Sequence, residues 1–380
     1  MSKGTALLRQ QNEKRTLALL RAGKHSSRQE IATALGLSKN TISLIVDKFI
    51  KDGVIKEVGI NEQGGVGRPR IQLRLQTEAY KSIGILIQHS YFQYVVTDYC
   101  SAILDKGSIP MDEDDPERYI EKLIELCSTL IEQHPETLGI GVAVPALVDP
   151  IEGAVHFSSH LSWRSVRLKE KMDARLPIQT KVLNLVKAAA LAPSSGLPKE
   201  NAANSFYLRI DEGIGGAHIM DSQIYSGASW TAGEAGHLCV EPDGPLCSCG
   251  QKGCLEALVS IPAIIKQIQK VQPDIKNDGD LERYLTGNGA ELPSFHKIMQ
   301  QSGQYVGMAV SQIILLLNPA YIVIDSPFEK LDSFKHSVIS TVESRALRFP
   351  TEKTKILFIK SHFASSIGAA FAVILDFEKE

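Results

Sequence analysis

The sequence has no hydrophobic run long enough to cross a membrane. Its most apolar stretch, AVSQIILLLNPAYIVI, is interrupted by Ser311, Gln312, Asn318 and Pro319, whereas a spanning helix needs about 20 consecutive apolar residues. The first residues, MSKGTALLRQQNEKRT, also lack the apolar centre of a signal peptide. These absences argue against a membrane protein and predict a cytoplasmic one.

Cysteine is scarce, with six residues in a chain of 380, and three of the six lie between Cys247 and Cys254. In a reducing compartment such crowding favours metal ligation over disulfides. The rest of the composition, 43% hydrophobic and 22% charged, is that of a folded protein of two or three domains.

Charge is unevenly distributed along the chain. Residues 1–75 hold 14 Lys and Arg against 6 Asp and Glu, a net charge of +8, and the remainder holds 27 against 37, a net charge of -10. A basic head on an acidic body indicates a polyanionic partner for the head. A solvated basic surface is the alternative that charge alone leaves open.

The basic head carries the pattern of a helix-turn-helix. Apolar residues recur at helical spacing from Arg9 to Leu20, and a second helix is predicted over residues 28–35, after Ser27 as its cap. Gly36 ends that helix, and Ser38 can cap a third over residues 39–51, with apolar residues on one face. The helices and their tight turn predict a DNA-binding domain.

The third helix is then expected to enter the major groove of operator DNA. Its early polar residues lie nearest the base edges and phosphates, with Asn40 as the expected base reader: Ser38, Lys39, Asn40, Thr41 and Ser43. The segment after Gly53 has the pattern of a wing hairpin whose tip carries Arg68 and Arg70, suited to a minor groove or to phosphate. A three-helix bundle used for protein contacts is the alternative.

Beyond Thr77 the pattern becomes α/β, with two similar series of strands and helices. The first series predicts strands at KSIGILI, FQYVVTD, AILDKGSI and LGIGVAVP, with a helix near residues 117–132. The second predicts strands at SFYLRI, GAHIM, QIYSG, YIVID and KILFIK. Two related lobes suggest an actin-like fold, although periodicity leaves other two-domain α/β proteins open.

Three segments of the body resemble the ROK family of repressors, open reading frames and kinases: GIGVAVPALVDPIEGAVHF, DEGIGGAHI and AGEAGHLCVEPDGPLCSCGQKGCLEALVS. The resemblance implies a winged helix-turn-helix (residues 1–75) followed by a two-lobed, actin-like, sugar-kinase-like body. The first lobe would comprise residues 76–190 and a C-terminal helix at about 362–380, and the second lobe, with a zinc loop, residues 191–361.

The crowded cysteines have the donors of a structural zinc site. Cys247, Cys249 and Cys254 supply three thiolates on a glycine-punctuated loop, and His237 can complete a tetrahedron. Four protein ligands leave no open position on the metal, so the site is expected to be structural. Free buried cysteines are the alternative.

The resemblance also implies a sugar-type site made of His160, Asn184, Glu234, His237 and Glu256. Carboxylates suit polyols because each oxygen can accept two donors, although Glu234 and Glu256 could instead orient the zinc loop. His160 stands where family members have an asparagine that contacts sugar, so an ordinary hexose is expected to bind weakly or not at all. An unusual sugar derivative or a protein is the expected effector.

The residues that serve phosphoryl transfer in family kinases are replaced here. Where kinases carry Gly-Ile-Asp-Ile-Gly-Gly-Thr this chain reads GILIQHS, so Leu86 replaces the aspartate, and Gln88 and His89 replace the glycines that let a phosphate approach. Where kinases carry Glu-Asn-Asp-Ala-Asn this chain reads LNLVK, with Leu185 in place of the general base. These replacements predict a protein that is not an enzyme.

The expected function is therefore a transcriptional regulator, a repressor of carbohydrate uptake or catabolism genes that a sugar-type effector controls. A ligand that prefers one lobe angle would change the spacing of two paired heads, so a homodimer or higher homo-oligomer is expected. The alternatives are control by a protein partner of a sugar transport system, and a ROK sugar kinase with an accessory head.

Overall fold

A computed structural model of the chain describes residues 3–23, 26–61, 70–192, 196, 204–221, 223–287 and 292–379. The fold divides into two compact units, one of residues 1–188 with 365–380 and one of residues 189–364. In the described residues, no helix combines the length and hydropathy that a membrane crossing requires.

The head begins the first unit with three helices and a two-stranded antiparallel sheet: α1 (Lys3–Arg21), α2 (Arg28–Leu35), α3 (Lys39–Lys51), β1 (Ile55–Asn61) and β2 (Arg70–Leu75). The predicted bounds of α2 and α3 are confirmed. The Ser27 hydroxyl accepts the N–H of Glu30, the Ser38 hydroxyl accepts that of Thr41, and Gly36 ends α2 in the left-handed conformation. Helix α1 begins six residues before the predicted Arg9.

The predicted apolar face of α3 packs into the head's own core. Ile42, Ile45, Val46 and Phe49 are each at most 3% exposed, and they pack with residues of α1, α2 and the hairpin. Complete burial of such a side chain contributes about 1.5–3 kcal/mol, so this face holds the helix in place and leaves the opposite face to solvent.

The first unit continues with a five-stranded sheet in the order β10-β6-β3-β4-β5. Strands β3, β4 and β5 form an antiparallel meander, whereas β6 and β10 extend it in parallel. The elements are β3 (Lys81–Gln88), β4 (Tyr91–Asp98), β5 (Ile103–Pro110), α4 (Pro116–Gln133), β6 (Thr137–Val144) and β10 (Thr180–Asn184). The predicted strands and the helix of this series are confirmed, and β10 was not predicted.

A small three-stranded sheet between β6 and β10 was also not predicted. Its strands are β7 (Leu147–Asp149), β8 (Ala154–Ser158) and β9 (Trp163–Val166), and two short helices follow, α5 (Leu168–Asp173) and α6 (Leu185–Leu191). Strands of three to five residues are too short to display a clear alternation.

The C-terminal helix α13 (Ala364–Lys379) packs on the first sheet at two glycines. A Cβ atom on Gly84 would lie 1.8 Å from the Ser366 carbonyl oxygen, and one on Gly141 would lie 2.0 Å from that of Ala369. Only glycine permits this approach. Farther along α13, Ile374 is fully buried in the core of the head. Helix α13 is thus shared by the head and the first sheet.

The second unit repeats the strand order of the first. Its sheet runs β13-β12-β11-β14-β15, again an antiparallel meander extended by two parallel strands. The strands are β11 (Asn204–Ile210), β12 (Ile214–Met220), β13 (Gln223–Ile224), β14 (Tyr321–Asp325) and β15 (Lys355–Ile359). Every strand predicted for this series is present, although β13 spans only two of the five residues predicted at QIYSG. The repeated topology confirms two related lobes.

Helices complete the second unit: α7 (Leu255–Val259), α8 (Ile261–Ile268), α9 (Asp278–Thr286), α10 (Pro293–Leu317), α11 (Asp332–Arg345) and α12 (Arg348–Lys353). Helix α10 supplies much of the core, including Phe295, Met299 and Val306, and it packs along α11. The cysteine-rich loop lies directly before α7, so the core of this unit supports the base of the loop.

Candidate nucleic-acid interface and metal centre

The N-terminal end of α3 presents the predicted DNA-contacting residues to solvent. Ser38, Lys39 and Asn40 are exposed, and Thr41 and Ser43 are half-buried. The hydroxyl of Ser38 is committed to the helix, because it accepts the N–H of Thr41 at 3.1 Å and lies 2.8 Å from the Thr41 hydroxyl. Lys39 and Asn40 are therefore the most accessible members of the set.

Arg28 also contributes to this surface, although its role was not predicted from the sequence. Its guanidinium lies 2.7 Å from Asp47 Oδ1 and 2.9 Å from Glu57 Oε1, and it donates to the Ser43 carbonyl at 3.4 Å. The cation thereby pairs with two carboxylates, one on α3 and one on the hairpin, and offsets one of their two negative charges. No local spacing relates Arg28 to Glu57, 29 residues away, so the sequence pattern offers no sign of this pairing.

The part of the wing hairpin that the structure describes is its two strands, β1 and β2. Strands β1 and β2 pair from Ile55 opposite Leu75 to Asn61 opposite Arg70. The backbone of the predicted Arg70 therefore lies at the distal end of the described hairpin, and Arg68 lies outside the described residues. The hairpin predicted after Gly53 is confirmed at the level of its strands.

A junction between α1 and α13 joins the head to the rest of the first unit. Arg21 makes a bidentate ion pair with Glu378, at 2.6 and 2.7 Å, and the hydroxyl of Tyr99 donates to the same carboxylate at 2.9 Å. The side chains of Arg21 and Glu378 are 17% and 8% exposed, and the Lys14 ammonium lies 4.8 Å from the centre of the Phe377 ring. A partly buried bidentate pair fixes orientation as well as distance.

In the second unit the predicted metal ligands come together. His237 closes a 3₁₀ turn of residues 235–237, Cys254 directly precedes α7, and Cys247 and Cys249 lie in the loop between. The ligand atoms of all four residues lie within 4.8 Å of one another. The loop is tightly folded at Gly253, because a Cβ atom there would lie 1.6 Å from the Glu241 carbonyl oxygen.

The spacing of these atoms fits a tetrahedral zinc ion. The sulfurs of Cys249 and Cys254 are 3.6 Å apart, and Cys247 Sγ lies 3.7 Å from His237 Nδ1. A tetrahedral zinc with Zn–S bonds of about 2.3 Å would place two thiolates about 3.8 Å apart. Burial raises the pKa of the Cys254 thiol to about 12, so a bound cation would have to displace its proton. The donor set and its geometry both fit a closed structural site.

Two of the predicted sugar contacts adjoin this cluster. Glu256, in the first turn of α7, accepts the backbone N–H of Ile214 at 3.0 Å, and its other oxygen lies 4.0 Å from Cys247 Sγ. Glu234 is exposed and begins the turn that ends at His237. The contacts of Glu256 favour a part in orienting the loop, which was the alternative to a sugar contact.

A third predicted contact, His237, is a member of the cluster itself, and the remaining two belong to the first unit. His160 is exposed in the loop between β8 and β9. Asn184 ends β10, where its amide donates to the Ala146 carbonyl at 3.0 Å and its oxygen accepts the N–H groups of Val186 and Lys187. These bonds cap the start of α6, so the side-chain oxygen of Asn184 is committed to the backbone.

The comparisons with known proteins establish the family. Residues 82–375 match the model of the ROK family, and residues 9–56 match that of a winged helix-turn-helix DNA-binding domain. The chain therefore belongs to the ROK family.

Among curated relatives, the chain is 28% identical over 344 residues to the xylose repressor of Bacillus subtilis strain 168. The aligned segment covers 88% of this chain and 87% of the repressor. It is 26% identical over 361 residues to the DNA-binding transcriptional dual regulator NagC of Escherichia coli K12. That aligned segment covers 92% of this chain and 88% of NagC.

Solved structures share the fold. A ROK family transcriptional regulator, described as a homologue of the E. coli MLC protein, superposes with a TM-score of 0.83 at 21% identity, covering 98% of this chain and 97% of that one. A ROK hexokinase of Thermus thermophilus covers 79% of this chain and 100% of its own, with a TM-score of 0.67 at 21% identity. The actin-like body predicted from the sequence is confirmed.

Proposed function

We propose that this chain is a sequence-specific DNA-binding repressor of carbohydrate uptake or catabolism genes. The observation that carries the proposal is the exposed, polar N-terminal end of α3, with Lys39 and Asn40 presented by a basic winged head. Asparagine can bond bidentately to adenine in the major groove, and lysine can contact guanine or phosphate. Two of the relatives named above, a xylose repressor and a transcriptional dual regulator, support the same function.

Within this proposal the three parts of the chain have separate tasks. Residues 1–75 bind operator DNA, residues 76–190 with the C-terminal helix at about 362–380 form the first lobe, and residues 191–361 form the second. One winged head reads one half-site, so a homodimer would match a palindromic operator with two heads.

The effector in this proposal is a sugar or sugar derivative, in line with the xylose repressor among the relatives. Glu234, His237 and Glu256 are its expected contacts on the second unit, and His160 and Asn184 on the first. A protein partner from a sugar transport system is the second candidate. The commitment of Asn184 to the backbone of α6 favours it, because a capping amide has less freedom to bind a sugar.

We further infer that His237, Cys247, Cys249 and Cys254 hold a structural Zn²⁺. Zinc would cross-link the loop between the 3₁₀ turn and α7, and it would fix the imidazole of His237 through Nδ1.

Kinase activity is absent in this proposal. Leu86 is buried in β3, and Leu185 begins α6 where family kinases carry their general base. An aliphatic side chain neither binds a metal ion nor takes a proton from a sugar hydroxyl.

The test is binding of the purified full chain to DNA upstream of its own and neighbouring genes, titrated with salt and repeated with a panel of sugars. We expect tight, salt-sensitive binding to one palindromic site that survives competitor DNA. Release by one sugar would identify the effector, and sugar-insensitive binding would favour the protein partner. Failure to bind any such fragment would contradict the proposal, and steady ATP consumption with a hexose would contradict the absence of kinase activity.

A further inference from the structure

Leu44 is an apolar side chain in the middle of the otherwise polar outer face of α3. It is 67% exposed, whereas the other large apolar residues of α3 point into the head and four of them are at most 3% exposed. It lies one helical turn after Asn40, so the two side chains occupy the same face. The remaining exposed large apolar residues described in the head, Leu7, Leu8 and Ile71, lie on α1 and β2.

The polar neighbours that follow Leu44 on this face are already bonded within the head. Asp47 pairs with Arg28 at 2.7 Å, and the Lys48 ammonium pairs with Glu13 at 2.6 Å. In the first half of α3, the exposed side chains are therefore those of Lys39, Asn40 and Leu44.

Major-groove base edges offer one apolar group, the C5-methyl of thymine, beside their donors and acceptors. A side chain next to a base-reading asparagine is suited to contact that methyl. Four residues of helix advance about 6 Å, and bases on one strand are about 3.4 Å apart, so the contact would fall within about two base steps of the base that Asn40 reads.

We propose that Leu44 is a specificity-determining residue that recognises the methyl group of a thymine in each operator half-site. This inference rests on the proposed function, because it requires α3 to enter the major groove. It adds a preference for thymine that the polar residues of the helix do not supply.

The test replaces each thymine of the identified operator with deoxyuridine, one position at a time, so that only the methyl group is lost. Fluorescence anisotropy of labelled operator then gives Kd for the wild-type chain, for Leu44→Ala and for Leu8→Ala. Leu8 is a matched control, because it is 60% exposed on another helix of the same head. Alanine is the best helix former, so Leu44→Ala should fold normally, and circular dichroism checks this.

We expect one uracil substitution per half-site to weaken wild-type binding about fourfold, the effect of one buried methyl group. Leu44→Ala should bind the thymine operator more weakly and be insensitive to that substitution, whereas Leu8→Ala should respond as the wild type does. Wild-type binding that ignores every uracil substitution would overturn the inference while leaving the proposed function intact. A Leu44→Ala variant that keeps full sensitivity would overturn it as well, and absence of any operator would instead refute the proposed function.

Discussion

The outer face of α3 and the cysteine loop each gather their candidate functional residues in one short segment, but they are built in opposite ways. On α3 the exposed residues, such as Asn40 and Leu44, differ from the buried residues that hold the helix, such as Ile42 and Ile45. In the loop the candidate ligands contact one another, and two of them, Cys247 and Cys254, are buried. Binding can therefore be separated from folding on α3 and cannot be separated in the loop.

The largest effect is expected in the loop. Cys249 is exposed, so Cys249→Ser removes a ligand with little loss of packing. Structural zinc contributes about 10 kcal/mol or more of binding free energy to the fold that it cross-links. We expect the variant to lose its zinc and to unfold at a markedly lower temperature, measured by elemental mass spectrometry and calorimetry.

Cys100→Ser is the matched control for the loop, because Cys100 is an exposed cysteine of the other unit. It should keep one zinc per chain and the wild-type melting temperature. If Cys249→Ser kept the zinc content and the melting temperature of the wild type, both the zinc site and the contrast with α3 would be contradicted.

Asn40→Ala tests whether binding is independent of folding on α3. Loss of a bidentate contact to a base should weaken operator binding by about 1–3 kcal/mol, or about 5- to 150-fold, with tolerance of other bases at one position. The melting temperature should not change, because Asn40 is exposed. Gln11→Ala, an exposed polar residue of α1, serves as the control in the same anisotropy titration. A variant that loses stability and affinity together would contradict the separation of binding from folding on α3.

Glu378→Gln tests whether the junction of α1 and α13 behaves as the loop does. The substitution keeps the shape of the side chain but leaves Arg21 without its carboxylate, so unfolding free energy should fall by about 1–3 kcal/mol. Urea unfolding measures this change, with Glu352→Gln on the exposed surface as the control. Unchanged stability would indicate that the pair does not hold the head in place.

The smallest effect is expected at Arg28. Arg28→Met leaves the carboxylates of Asp47 and Glu57 without their cation, so their negative charges would repel DNA phosphate. The binding free energy for operator DNA should weaken by about 1 kcal/mol at low salt and by less at high salt, because salt screens the repulsion. Adding Asp47→Asn to this variant should restore part of the loss. A double variant no better than Arg28→Met would show that Arg28 acts by another route than neutralisation.

The sequence predicted features whose causes lie close together along the chain. The bounds of α2 and α3 follow from the caps Ser27 and Ser38 and the left-handed Gly36, and the four candidate ligands lie within 18 residues. Pairs formed by the tertiary fold were not predicted: Arg21 meets Glu378 across 357 residues. The local hydrogen bonds of Asn184 were also not predicted, because capping by its side-chain oxygen depends on where β10 ends.

Sequence-specific binding by α3 is best tested by selecting operator DNA from genomic fragments with the wild-type chain and with Asn40→Ala in parallel. The wild type should recover one palindromic sequence near its own gene, with affinity that falls steeply with salt, and the variant should lose the preference for one base in each half-site. Recovery of random fragments by the wild type would contradict sequence-specific binding by α3. Recovery of the same sequence at the same affinity by Asn40→Ala would contradict it as well.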